Sequence, residues 1–192
     1  MINISPKKLL IEEILKVKNE LSIIENKSLK NFNKLCQICL QSIKRGNKII
    51  FFGNGGSASD AQHLAAELVV KYKKKRKAIA AISLATDTSI ITSIGNDYDF
   101  KYVFSRQIEA LGKKNDVVLA ITTSGNSRNL IEAMKISNKK SLRTFCFSGN
   151  NGGKLKRYVK YPIIFPSKTT SSIQVMEILV GQVLCEYLEK NL

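Results

Sequence analysis

The chain contains one histidine, His63, so no imidazole pair or triad can assemble within one copy. Its four cysteines, Cys36, Cys39, Cys146 and Cys185, are scattered through apolar segments rather than spaced as a disulfide framework. Cys36 and Cys39 form a CxxC, but no second CxxC or following histidine completes a zinc set, and the spacing predicts a core-facing pair on a helix. Uncharged apolar runs such as Ala78 to Ala85 are far shorter than the roughly 18–20 residues needed to span a bilayer. The segment Met1 to Lys8 meets charge before a signal-peptide core can form, and Glu12 and Glu13 are unlike a transit peptide. A cytoplasmic protein without membrane attachment is expected. There is no repeat, low-complexity stretch or linker, and 192 residues suit one domain.

Acidic residues are also scarce: 15 against 31 lysines and arginines, a formal charge of +16. Such an excess attracts phosphates. The basic residues are spread along the chain, however, and the one dense run, Lys71 to Lys77, has no RNA-binding aromatic motif or zinc finger beside it. It reads as a solvated loop, and a nucleic-acid partner is not expected.

Apolar residues recur at helical spacing from Pro6 to about Glu25 (Leu10, Ile14, Val17, Leu21, Ile24) and again from about Ser28 to Lys44, ending at Gly46. Two amphipathic helices ahead of the first strand leave apolar surface for another subunit, which predicts a homo-oligomer. Five short apolar runs follow, at Lys48–Phe52, Ile79–Leu84, Asp116–Ile121, Leu142–Phe147 and Tyr161–Phe165, separated by helical segments. The expected fold is therefore three-layer α/β, a five-stranded, mainly parallel sheet in a single domain, with residues 1–46 as a helical extension and 47–192 as the core. A last amphipathic helix is expected from about Thr170 to Lys190.

Ligands of such sheets bind beyond the carboxyl ends of the strands. The first strand runs into Gly53-Asn54-Gly55-Gly56-Ser57, and the third into Thr122-Thr123-Ser124-Gly125-Asn126-Ser127-Arg128 before a helix from Asn129 to Asn138. Hydroxyls and backbone N–H groups at a helix start suit a phosphate, although ordinary βα turns with capped helices share this composition. No lysine completes a Walker loop. Gly53 to Ala58 satisfies G-x-G-x-x-A, but the acidic residue a dinucleotide site needs about 20 positions later is missing. His63 and Glu67 are four apart on the helix that leaves the glycine loop and share a face. Such a pair is often structural; next to an anion loop it is also a metal or acid/base candidate.

In these segments the chain resembles the sugar isomerase (SIS) domain and, within it, the phosphoheptose isomerases. The resemblance is carried by Gly53–Ser57, Asp60-Ala-Gln-His63 with Glu67, Ile94-Gly-Asn-Asp97-Tyr98, Phe104-Ser-Arg106-Gln107, Thr123–Ser127, Ser148-Gly149 with Gly152-Gly153, and Ile173-Gln174. It implies a flavodoxin-like fold, a homotetramer with sites between subunits, and one zinc ion per subunit. By position it makes His63, Glu67 and Gln174 metal ligands, and assigns substrate contacts to Asn54, Gly55, Gly56, Glu67, Asn96, Asp97, Thr122, Thr123, Ser124, Ser127 and Gln174. The implied reaction converts sedoheptulose 7-phosphate to glycero-manno-heptose 7-phosphate, a precursor of lipopolysaccharide heptose, with Glu67 as base. The family histidine that serves as fourth ligand and general acid is replaced by Gln182, which can offer a carbonyl oxygen but no acidic proton, leaving Glu177 or a water as the alternative proton donors. Two other readings stand beside this one: a non-catalytic SIS adaptor for the bacterial replication initiator, and an isomerase of another ketose phosphate.

Overall fold

The computed structural model describes residues 5–24 and 26–192; the start of the chain and Glu25, where the first helix was expected to end, lie outside the described residues. Two helices, α1 (Pro6–Ser22) and α2 (Asn26–Lys44), precede an alternating series. This runs β1 (Ile49–Gly53), α3 (Gly56–Val69), β2 (Ala81–Ser83), α4 (Thr88–Asp97), α5 (Ser105–Leu111), β3 (Val117–Thr122), α6 (Arg128–Lys139), β4 (Arg143–Ser148), β5 (Tyr161–Ile164) and α7 (Thr170–Asn191). All strands pair in parallel, in the order β2-β1-β3-β4-β5. The expected mainly parallel sheet is thus wholly parallel.

Strand residues alternate between two cores, as a pleated sheet covered on both faces requires. Ile49, Phe51, Val117, Leu119, Phe145 and Phe147 meet α2, α3 and α7, whereas Ile50, Phe52, Val118, Ala120 and Cys146 meet α4, α5 and α6. Cys36 and Cys39 are buried and free, and burial pushes the Cys36 thiol up to about 12; the pair is core, as its spacing indicates.

β1 and β3 each start one residue later than the apolar pattern because Lys48 and Asp116 form a polar knot beneath the sheet. The Asp116 carboxylate accepts from Lys48 Nζ (2.6 Å), the backbone N–H groups of Lys48 and Lys113 (3.0 and 2.8 Å) and the Asn47 amide (3.2 Å). β2, at the sheet edge, is shorter than expected, pairing over three residues.

The N-terminal helices differ in burial. α2 buries Leu35, Cys36 and Cys39, whereas α1 has no buried residue and leaves Leu9, Leu10 and Ile14 exposed. Among the described residues, no helix is long and apolar enough to cross a membrane.

Candidate active site

In the order 2-1-3-4-5, the chain leaves β1 and β3 toward opposite sides of the sheet, which opens a crevice between their carboxyl ends. The glycine loop and the hydroxyl loop are the loops that leave those two strands, so the topology brings them together. Asn54 and Asn129 join them: each side-chain amide donates to the other's carbonyl oxygen, at 3.0 and 2.8 Å. Gly125 takes φ +65°, and a Cβ there would lie 2.3 Å from the Gly152 carbonyl oxygen, so the hydroxyl loop packs backbone to backbone on the loop after β4.

Two helices start at this crevice, and neither has a side-chain cap. α3 begins after Gly55 and α6 after Ser127; the starts of α1, α5 and α7 are likewise without a side-chain cap, while α4, in the same layer as α6, is capped by the Asp87 carboxylate accepting from the Ile90 N–H. N–H groups at a helix start carry the positive end of the helix dipole and suit an anion, although in α6 the Leu130 N–H already donates to Asn129 Oδ1 (3.0 Å). Ser57 and Thr122 are buried beside them, with Thr122 Oγ1 accepting from the Gly125 N–H (3.3 Å).

On α3, His63 Nε2 lies 3.0 Å from Glu67 Oε1, both side chains partly exposed. The end of this helix is fixed by Arg76, whose Nη2 and Nη1 donate to the carbonyl oxygens of Glu67 and Leu68, each at 2.7 Å, while its Nε lies 3.3 Å from Glu189 Oε2 on α7. Glu189 also accepts from the backbone N–H groups of Tyr72, Lys73 and Lys74. The dense basic run is thus a loop fastened onto α7.

α7 lies alongside α3 in the same direction. A Cβ on Gly56 would meet the Gln174 amide nitrogen at 2.3 Å, and one on Gly181 would meet Leu64 Cδ1 at 2.5 Å. Gln174 therefore covers the head of α3, and Gln182 is level with the turn carrying His63 and Glu67. Imidazole and carboxylate are both ordinary zinc donors. Among the described residues no three His, Cys, Asp or Glu cluster as a metal site. His63 and Glu67 supply one imidazole and one carboxylate, and any further donor from α7 is a neutral amide: Gln182 is level with them, whereas Gln174 faces Gly56 about two turns nearer the start of α3.

A cleft of about 760 Å³ borders the hydroxyl loop, lined by Ser124, Asn126, Asn150, Ser167, Lys168 and Thr169 together with Glu20 of α1. A smaller one, about 280 Å³, is lined by Asn54, Ser127 and Asn129 with Asp99 to Lys101. Asn54, Gly55, Gly56, Thr122, Thr123, Ser124, Ser127 and Gln174 thus gather around one crevice. Asn96 and Asp97 do not join them within one chain. They hydrogen-bond each other at the end of α4, and Asp97 faces a separate apolar groove beside Tyr98 and Arg106. Asn129 and Lys168 were not foreseen. An Asn at a helix start reads as routine capping, while the hydroxyl-rich run around Lys168 was a usable signal.

The SIS domain family model matches residues 14–149. The phosphoheptose isomerase of Campylobacter jejuni is 45% identical over 180 residues, spanning 94% of this chain and 95% of its own. That of Aquifex aeolicus is 50% identical over 153 residues, 80% of each chain. The solved phosphoheptose isomerase of Neisseria gonorrhoeae superposes with TM-score 0.89 at 34% identity, covering 97% of this chain and all of its own. With the fold, the paired glycine and hydroxyl loops and the His63–Glu67 helix in place, these likenesses establish that the chain belongs to the phosphoheptose isomerase family of SIS-domain proteins.

Proposed function

We infer that the protein is an aldose–ketose isomerase that converts sedoheptulose 7-phosphate to D-glycero-D-manno-heptose 7-phosphate. The observation that carries the reading is the pair of uncapped helix starts at the β1/β3 crevice, one of which continues into the helix that bears Glu67. An anion held at the loops leaves the other end of an open-chain sugar within reach of that helix.

The phosphate end is received by the helix N–H groups and the hydroxyls of Ser57, Thr123, Ser124 and Ser127, with Lys168 adding positive charge from the cleft wall. Binding energy from this end positions C1 and C2. Glu67 takes a proton from C1, giving an enediol, and returns it to C2, while the O1 proton passes to O2 and the carbonyl moves to C1. Arg76 holds the backbone of Glu67 and His63 steadies its carboxylate, so the base is presented in one orientation. We propose that His63, Glu67 and the amide oxygens of Gln182 and, turned from Gly56, Gln174 would hold zinc, which would supply Lewis acidity at the reacting end of the sugar. Gln182 cannot shuttle the oxygen-bound proton, and that transfer is assigned to water.

Assembly as a homotetramer is supported by apolar surface that one chain leaves uncovered: Leu9, Leu10 and Ile14 on α1, and Val175, Leu179 and Val183 along α7. The α7 stripe adjoins Gln174 and Gln182, so a second copy seated there would close the site. Four free, buried cysteines agree with a cytoplasmic setting.

The adaptor reading is disfavoured by Glu67, a base that an adaptor does not need. The deciding experiment is an isomerase assay on sedoheptulose 7-phosphate with zinc titration. Formation of the aldose supports the reading, and no product at any metal concentration overturns it. A second ketose phosphate turned over with higher kcat/KM reassigns the substrate alone.

A further inference from the structure

α7 buries a carboxyl that the proton transfer does not use. Glu177 is wholly buried, and neither of its oxygens has a hydrogen-bond partner among the described residues. Buried polar groups are nearly always paired, so an orphaned carboxyl calls for a role. Its surroundings say which form it takes. Burial first, and then the nearby Asp60 carboxyl on α3, push Glu177 up to about 8, with the Thr122 backbone N–H and the Ser57 hydroxyl opposing. The Cys146 thiol on β4 also faces it, but is itself pushed up to about 12 and adds no charge. α1 and α2 pack against α7 as well, and no charge on them shifts Glu177 appreciably. At neutral pH the group is a carboxylic acid, with one O–H to donate and one carbonyl oxygen to accept.

Its position matters more than its charge. Ser57 stands at the start of α3, and Thr122 ends β3, so the two groups within reach of Glu177 belong one to each anion loop. Neither makes a hydrogen bond of ordinary geometry to it. A small movement of either loop would let the carbonyl oxygen accept from the Thr122 N–H and the acid O–H donate to Ser57 Oγ, turning the Ser57 proton outward to the crevice.

Resting on the sugar-phosphate reading above, we propose that Glu177 is a positioning residue for the substrate anion: from beneath the β1/β3 crevice it orients Ser57 and the end of β3, and so sets how tightly the two loops hold a phosphate. It touches neither the substrate nor the reacting carbons. It acts through Ser57, and its effect falls on binding rather than on turnover.

The test compares E177Q, which keeps a donor and an acceptor in the same shape, with E177L, which keeps the size and loses both; E177M replaces E177L if the latter does not fold. E177Q is expected to stay within about threefold of wild type in KM and kcat, whereas E177L raises KM about tenfold or more with kcat within about threefold. In an S57A background, the E177L effect shrinks to less than about threefold. Calorimetric titration with inorganic phosphate makes the result independent of turnover. Weaker phosphate binding by E177L, with E177Q like wild type, supports the proposal even if the wild type isomerises no heptose, an outcome that would sink the isomerase reading alone. E177L binding phosphate as wild type does overturns it, as does failure of E177Q to retain KM. A fall in kcat at constant KM in either variant also overturns it, and assigns Glu177 to proton transfer instead.

Discussion

Asn54 and Asn129, 75 residues apart in sequence, exchange two side-chain hydrogen bonds across the crevice between β1 and β3. Asn129 is buried, so cutting Asn54 to alanine leaves its side-chain NH2 unpaired, while its Oδ1 still accepts from the Leu130 N–H. N54A and N129A are each expected to lower stability by about 1–3 kcal/mol. If the pair also aligns the loops, KM for the sugar phosphate rises in both variants. Denaturant titration of the two single mutants and the double mutant measures the coupling; strict additivity would show that the bonds contribute nothing jointly.

Glu67→Gln is expected to lower kcat by about 10²–10⁴-fold without loss of fold, the usual range for removing a general base. Restoring an imidazole with Gln182→His should raise zinc content and turnover together. Metal analysis beside the isomerase assay checks both, and unchanged values in the histidine variant would mean that glutamine suffices.

Gly125→Ala should be among the most damaging single changes at the site. It places a side chain at φ +65°, 2.3 Å from a carbonyl oxygen that belongs to another loop. A loss of about 2–4 kcal/mol is expected. A melting temperature equal to wild type would refute the backbone packing of these loops.

Stability should depend on pH at both ends of the range. Asp116 is opposed by burial, but this is outweighed by the Lys48 ammonium, the Lys113 and Lys48 N–H groups and the Asn47 amide, so it titrates below the usual carboxylate range. A depressed folded value means that its stabilisation is present above the unfolded value near 3.9 and is lost as pH falls through the folded one. Glu177 has the opposite sign. Raised to about 8 in the fold, it binds a proton that the unfolded chain has released above about 4.3. Stability therefore falls with rising pH between those values, by at most about 1.4 kcal/mol per unit. D116N should remove the dependence on the acid side and E177Q the fall between about pH 4.3 and 8, as read from denaturation curves between pH 3 and 9.

The apolar stripe Val175, Leu179 and Val183 is expected to lie between copies of the chain. Leu179→Lys should reduce the mass measured by light scattering and lower turnover together, because Gln174 and Gln182 flank the stripe. An unchanged mass would place the subunit contact elsewhere.

Much of the fold was legible because each element carries its own periodicity. The runs Lys48–Phe52 and Asp116–Ile121 are apolar throughout after their first residue, as strands covered on both faces must be, and the structure moves their starts by one residue because Lys48 pairs with Asp116. The glycine and hydroxyl loops were legible as strand-to-helix connections for the same local reason, glycine and hydroxyl residues between a strand and a helix. Asn129 and Glu177 were not legible as partners of those loops. Nothing in the residues around an Asn at a helix start, or a Glu on a polar-to-apolar helix, records what it will face.

The sequence by itself determined the elements, the candidate base on a helix that opens from a glycine loop, and the hydroxyl-rich loop after the third strand. These depend on residue type and spacing, which act over a few residues. Only the tertiary structure decided that the loops after β1 and β3 are neighbours, that α7 runs alongside α3 with Gln182 level with Glu67, and that Glu177 is sealed beneath the crevice. Such adjacencies arise when parallel crossovers order the strands and both faces of the sheet are covered, and that is settled by the packing of the whole chain rather than by any one segment of it.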